Sequence, residues 1–414
     1  MGLAKSQMIE DQERGWHDLD THVCANCVDD IFLKSLINEN LEVCICDYCG
    51  EETVDESAAP TNTILGPIAD ALHYFFSDPT SAGVPYETRE GGFAVAPTYT
   101  EDALLSLPLD CNDKLFEDVA SAFINDAWVP AANGHWASSH RSTEMLELWG
   151  RFVYKLKHEV RYFFNEPVTP TTEFGIGEQS SRQILATIAD HVEDFEFFQT
   201  IDAGTLLYRT RVRTDNSDWV IDPESMSSPP PELAAAGRMN PAGISYFYLA
   251  FEHNTACAEV LPSPPCKCAL AEFKVSRDLC VLDLTNIPDI PSIFDRSNSI
   301  EREVLLFLSE FVEQISLPIQ KDGREHVEYV PSQVVCEYFA LVYKRNGQHL
   351  DGLVYPSAVR RGGRNIVLFP KSRGYPLEFD QVAYSQGWQI ELPTWETVSA
   401  YAGNGALPKF SIFL

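Results

Sequence analysis

The sequence contains no apolar run approaching the ~20 residues that a helix needs to cross a bilayer, so no membrane-spanning helix is expected. It is also short of positive charge, with 30 Lys and Arg against 61 Asp and Glu and a formal net charge of −31. Such a surface repels nucleic-acid phosphates and anionic lipid, so neither a nucleic-acid partner nor a membrane partner is expected. The shortage is uneven. Residues 1–200 hold 35 acidic and 11 basic residues, and the remainder holds 26 and 19. The second half therefore has room for a local positive pocket. The opening stretch, MGLAKSQMIEDQERGWHDLD, lacks an apolar signal core, which predicts a cytoplasmic location. Gly2 and Ser6 fit the start of a myristoylation signal, but the acidic residues that follow supply no second, polybasic anchor. A GxGxxG fingerprint is absent too, which argues against a nicotinamide cofactor held as a hydride carrier.

What is present is ordinary globular composition, 45% hydrophobic and 22% charged, in a chain of 414 residues that predicts two or three domains. Residues 1–20 read as a flexible lead-in, and the acidic, small-residue stretch EETVDESAAPTNT (51–63) reads as a linker. Between 64 and 200 apolar residues recur at helical spacing, in ILGPIADALHYFF, in DKLFEDVASAFINDAW (113–128), in TEMLELWGRFVYKLKHEVRYFF (143–164) and in EQSSRQILATIADHVEDF (178–195), where Ser180 or Ser181 can cap. After residue 200 short apolar segments bounded by Gly, Pro, Asn and Asp predict strands at 204–212, 244–250, 268–275 and 279–284. Further strands are predicted at GLVYPSAV and RNIVLFP. Helices are predicted at NTACAEVL, SIEREVLLFLSEFVEQI and SQVVCEYFALVYKRNG, and residues 216–237 read as a Pro/Ser-rich loop. The mixed order predicts an α+β chain in three parts, with a Cys-rich segment (1–52), a mostly helical middle region (64–200) and a mixed α/β domain (201–414).

Five of the eleven cysteines fall within residues 24–49. Cys24-x2-Cys27 and Cys46-x2-Cys49 are two pairs, each suited to a tight turn with both sulfurs on one side. Two such turns make a tetrahedral thiolate site of the kind Zn²⁺ fills, and four thiolates leave no open position, so a structural zinc-ribbon-like site is expected. Cys44 competes with Cys46 for the third place, and His22 is a weaker alternative; a redox pair or an iron–sulfur cluster is the other reading of the cysteines. The remaining cysteines read as small buried hydrophobes.

Four features of the second half stand together. They are Leu207-Tyr208-Arg209; the stretch Gly237-Arg238-Met239-Asn240-Pro241-Ala242-Gly243 running into Tyr246, Tyr248 and Ala250; Thr255-Ala256-Cys257-Ala258-Glu259; and Tyr355-Pro356-Ser357. Singly, each has a plain structural reading as an edge arginine, a core tyrosine, a surface carboxylate or a turn serine. In this order they resemble the RES-domain family, whose motifs are an "LYR" strand, a "GRWNP-G" loop leading to "YLA", a "TAxAE" helix and a "YPS" segment. Met239 stands where Trp is commoner, and Val330-Pro331-Ser332-Gln333 matches a "VPTQ" stretch with Ser for Thr. The likeness spans about residues 200–370.

The resemblance implies a relative of the diphtheria-toxin-type ADP-ribosyltransferases that consumes NAD⁺, often as the toxin of a toxin–antitoxin pair. It implies Arg209, Tyr248, Glu259 and Ser357 as catalytic residues and Arg238, Asn240, Tyr246 and Gln333 as NAD-binding ones. The chemistry agrees with these residue types. Cleaving the nicotinamide–ribose bond develops an oxocarbenium ion that a carboxylate such as Glu259 stabilises. Arginines such as Arg209 and Arg238 suit the diphosphate. A ring such as Tyr248, or Tyr246 on the same strand face, can stack on the cationic nicotinamide, and Ser357 can hydrogen-bond the ribose or the carboxamide. The acceptor is left open: water, phosphate or a protein side chain. Arg360 and Arg361 are candidates for a phosphate site, or a solvated turn.

In the helical region Arg151 and His158 have the R-x4–6-H spacing of HEPN ribonucleases, and helical N-terminal regions of this kind accompany RES domains. The acidic surroundings disfavour RNA, so a dimerisation or sensing role, or restraint of the catalytic part, is the expectation, with a ribonuclease or a non-enzymatic interaction module as alternatives. An antitoxin or regulatory partner, if any, is expected to be a separate chain or the N-terminal region itself.

Overall fold

The computed structural model describes residues 3–161, 181–213, 220–260, 266–316, 324–370 and 379–392. The chain separates into two compact units. Of the described residues, one unit takes those up to Met145 together with Asp289–Phe307, and the other takes the rest.

In the first unit the elements run α1 (Leu3–Arg14), β1 (His22–Cys24), α2 (Ile31–Glu39), β2 (Ala58–Pro60), α3 (Asn62–Phe75), β3 (Phe76–Ser77), β4 (Tyr86–Glu87), β5 (Gly92–Phe93), α4 (Thr100–Leu105), α5 (Asp113–Ala122), β6 (Val129–Pro130) and the start of α6 (Arg141–His158). The expected flexible lead-in is instead helical. Gly15 closes α1 at φ +83, where a side chain would strain the backbone, and Arg14 folds back on the Trp16 ring at 3.9 Å while bridging Asp11 and Asp18. The expected linker is likewise partly strand, since β2 pairs antiparallel with β1 in the register Val23↔Ala59. Burial of Ile64, Leu65, Ile68, Ala69 and Leu72 on one face of α3 explains its helical spacing. Asn112 caps α5 by accepting from the Lys114 and Leu115 amides. That helix stops at Ala122, short of the predicted 128, because Phe123 turns extended and packs edge-on against buried Trp128. Ile293 and Phe294, from the far segment of the chain, join this core.

The second unit continues with the rest of α6, then α7 (Ser181–Asp194), β7 (Phe198–Ile201), β8 (Leu206–Arg213), α8 (Pro223–Met226), β9 (Phe247–Ala250), α9 (His253–Ala258), β10 (Cys266–Val275), β11 (Leu279–Asp283), the later part of α10 (Ser299–Ser316, whose residues up to Phe307 belong to the first unit), α11 (Glu325–Glu328), α12 (Val330–Leu341), β12 (Gly352–Pro356), β13 (Arg364–Leu368) and β14 (Val382–Leu392). Residues 162–180 lie outside the described residues, so the predicted end of the third helix and the Ser180 cap are not among them. Eight strands form one mixed sheet in the order β14-β10-β8-β9-β13-β12-β11-β7, with β11 and β12 its parallel neighbours. The chain is thus mixed α/β, with a helical N-terminal region and a mixed C-terminal sheet. Leu207, Phe247, Ala271, Val281, Val354 and Ile366 carry a core across the sheet. β8 and β9 pair only at Tyr208↔Ala250, so the ladder is nearly open at this one place in the sheet's middle.

Candidate active site and cysteine cluster

That opening positions a cavity of about 300 Å³. Arg209, from β8, and Tyr248, from β9, both line it, although the Tyr208↔Ala250 pairing puts them on opposite faces of their strands. Where the ladder is missing, the Tyr248 carbonyl takes a long contact from Arg209 Nη1 at 3.5 Å. Burial pulls the Arg209 pKa down to about 9, with the nearby Arg211 charge adding to the effect. The guanidinium is therefore still charged at neutral pH. Among the described residues no carboxylate pairs with it; its other neighbour is the Phe247 ring, 5.1 Å away. A desolvated cation with no anion of its own is a built receptor for one.

Glu259 caps the C-terminal end of α9 and lines the same cavity. Its Oε1 accepts from Ser357 Oγ at 2.7 Å and from Asn365 Nδ2 at 2.6 Å. Both fixed donors use Oε1, and Oε2 has no hydrogen bond among the described residues. Ser357 is itself oriented, because its Oγ accepts from the amides of Arg360 (3.1 Å) and Val359 (3.3 Å). Ser357 does not line the cavity; it acts on Glu259.

Arg238 lines the cavity, donates to the Ser316 carbonyl at 2.7 Å and lies 6.0 Å from the Tyr355 ring. Its loop is clamped from several sides. The Tyr248 hydroxyl donates to Asn240 Oδ1 at 2.6 Å and accepts from the Met239 amide at 3.0 Å. Burial holds that phenol well above its ordinary pKa, so it remains a donor. Gln333 Nε2 donates to the carbonyls of Gly237 and Asn240, and Ser332 Oγ to that of Arg238. A Cβ on Gly237 would sit 2.5 Å from Asn240 Oδ1 and 2.8 Å from the Tyr248 hydroxyl, so only glycine fits.

The structure therefore brings Arg209, Arg238, Tyr248 and Glu259 to one cavity and hangs Ser357 on Glu259. Asn240 and Gln333 stand behind it and shape the Arg238 loop. Tyr246 does not line the cavity: it is buried, its ring centroid 5.3 Å from that of Phe369. Arg360 is engaged by Glu252 and Thr255. Asn365 and Tyr329 also line the cavity and escaped the sequence reading; Tyr355 lines it too and entered that reading only as part of the Tyr355-Pro356-Ser357 motif. Asn365 left one signal, a polar side chain in an apolar strand, and it is 3% exposed.

The four predicted cysteines come together in the first unit. The sulfurs of Cys24, Cys27, Cys46 and Cys49 lie within 4.8 Å of one another, a set with the geometry to hold a metal ion. Cys24 and Cys27 flank a single 3-10 turn, and the Cys46 turn closes with the Gly50 amide on the Cys46 carbonyl at φ +70 for Gly50. Backbone amides of Cys49, Tyr48 and Cys24 point at the Cys46 sulfur, and against the opposing effect of burial they lower its pKa to about 7. Cys44 is outside the set, its thiol on the Val54 carbonyl, and His22 faces Asp47.

Residues 206–389 match the family model of the RES domain, and residues 39–170 match HEPN/RES N-terminal domain 1. The chain therefore carries an RES domain, with an HEPN/RES N-terminal domain 1 ahead of it. RES domains are associated with NAD-targeting activity, so the match supports an NAD-utilising enzymatic role in general. No curated protein and no solved structure matches the chain. The RES match covers every residue of the cavity, and the N-terminal match begins after Cys24 and Cys27, before Cys46 and Cys49. Arg151 and His158 fall within the N-terminal match, and both are exposed on α6. Among the described residues no helix is long and apolar enough to cross a membrane.

Proposed function

We propose that the RES domain cleaves the nicotinamide–ribose bond of NAD⁺, on an ADP-ribosyltransferase-like frame. The observation that carries this reading is Glu259: one carboxylate oxygen is held by Ser357 and Asn365, and the other has no fixed donor among the described residues. A carboxylate locked in place beside the anomeric carbon stabilises the positive charge that grows on the ribose as nicotinamide leaves, and its second oxygen receives a ribose hydroxyl. Arg209, charged and without a carboxylate partner among the described residues, takes the diphosphate, and Arg238 assists. Tyr248 borders the nicotinamide. A cavity of about 300 Å³ is at the lower end of the ~300–1,000 Å³ usual for small-molecule sites, which suits the nicotinamide–ribose end of the dinucleotide.

Water as acceptor makes the protein a glycohydrolase, phosphate a phosphorolase and a protein side chain a transferase. NAD⁺ turnover with and without phosphate, followed by product analysis, separates them. Free ADP-ribose in both reactions marks hydrolysis, a phosphorylated product only with phosphate marks phosphorolysis, and label retained on protein marks transfer. No nicotinamide in any reaction contradicts the proposal. A toxin role held in check by an antitoxin, or by the N-terminal region, follows from the same reading. The four cysteines are proposed to hold Zn²⁺, which would fix the two turns and contribute folding energy to a segment with little core of its own.

A further inference from the structure

A second cavity, of about 480 Å³, lies wholly within the first unit. Its walls include Phe75, Leu107, Trp136, His140, Arg302 and Glu303. Phe75 and His140 belong to the HEPN/RES N-terminal match, Arg302 and Glu303 to the RES match, so neither matched region contains the cavity alone.

Arg302 is the unusual member. Its Nε is shielded from solvent and has no hydrogen-bond partner, and among the described residues no ion pair or hydrogen bond reaches its guanidinium. Burial lowers its pKa, the cost of holding the charge there. The acid next to it is committed elsewhere. Glu303 is 3% exposed, and its Oε2 accepts from the Ser142 amide at 2.8 Å. Burial alone would push this carboxyl up, but donors from Ser142 and Tyr74 outweigh it and keep the group ionised. The other cation nearby, Arg296, lies over the Tyr74 ring at 3.7 Å. A half-buried arginine whose shielded Nε lacks a partner, beside an ionised but occupied glutamate, leaves a donor that an anion arriving from outside can take.

We propose that this cavity binds a small molecule bearing an oxyanion, a carboxylate or a phosphate, gripped by Arg302 with its apolar body against Phe75, Leu107 and Trp136. The guanidinium fork matches either oxyanion. The site shares no residue with the Glu259 cavity and does not depend on NAD⁺ chemistry.

The test is calorimetric titration of the full chain with phenyl phosphate, benzoate and benzyl alcohol. At least one anion binds and benzyl alcohol does not, and the stronger anion identifies the oxyanion class. Arg302→Met weakens binding at least about tenfold, as expected for loss of a hydrogen bond to a charged group. Ser138→Phe, which fills the cavity from an exposed lining position, also blocks it. Arg209→Met, which removes the cation of the other cavity, leaves the signal in place. In the Arg209→Met background, where the other cavity has lost its anion receptor, binding that survives both Arg302→Met and Ser138→Phe, equal binding of benzyl alcohol, or no binding of either anion at millimolar concentration overturns the proposal.

Discussion

Ser357 donates its hydroxyl to Glu259 Oε1 at 2.7 Å, across 98 positions of sequence, and so acts on the carboxylate rather than lining the cavity. Ser357→Ala leaves Asn365 as the remaining donor to that oxygen. Loss of one hydrogen bond to a charged group is worth about 1.5–3 kcal/mol, so kcat for nicotinamide release is expected to fall about 10- to 100-fold with KM little changed. A large rise in KM with kcat intact would instead place Ser357 on the substrate.

Arg209 is held charged against desolvation. Its pKa is lower folded than unfolded, so its cost to stability is present at neutral pH and is relieved only as pH rises from about 9 toward the ordinary arginine value. Arg209→Met is therefore expected to raise Tm modestly while weakening NAD⁺ binding by tenfold or more. Pyrophosphate should raise the wild-type Tm and leave that of the variant unchanged. A variant that is both less stable and equally tight in binding would show that the arginine serves packing alone.

A Cβ on Gly237 would meet both Asn240 Oδ1 and the Tyr248 hydroxyl, the two ends of the hydrogen bond that clamps the Arg238 loop. Gly237→Ala forces apart the Tyr248–Asn240 hydrogen bond and is expected to cost about 1–3 kcal/mol in denaturant unfolding together with most of the NAD⁺ activity. Gly243, at φ +83 with open space around it, offers a contrast: Gly243→Asn, which tolerates that backbone, should be milder in both measurements.

Metal analysis of the purified chain should find about one Zn²⁺ per molecule. Cys24→Ser or Cys46→Ser should lose it and lower the Tm, whereas Cys44→Ser, outside the cluster, should keep it. Retention of metal in Cys46→Ser with loss in Cys44→Ser would reverse the ligand assignment.

The cysteine cluster was legible because its spacing is local, two residues within each turn. Arg209, Tyr248 and Glu259 were legible because each sits in a short motif on a strand or helix end. Asn365 was not, because its partner Glu259 is 106 positions away and nothing near it in sequence announces the pairing. Tyr246 lies two positions before Tyr248, yet it packs against Phe369 and does not line the cavity, a tertiary contact that strand alternation alone cannot show. Helix α1 was hidden by its polar composition and β2 by an acidic, small-residue context that resembles a linker; both are fixed by partners far along the chain, Phe123 facing Trp16 and Val23 facing Ala59. β14 carries Gly387 and several polar residues, and it takes its place by pairing along the length of β10.

The most direct test is nicotinamide release from NAD⁺ by wild type and by Glu259→Gln, which keeps the shape of the side chain and removes its charge. The expected result is release by wild type and a loss of at least about a hundredfold in the variant, the scale set by electrostatic stabilisation of a developing charge. Equal rates in the two proteins would contradict a carboxylate-stabilised ribose cation at this cavity.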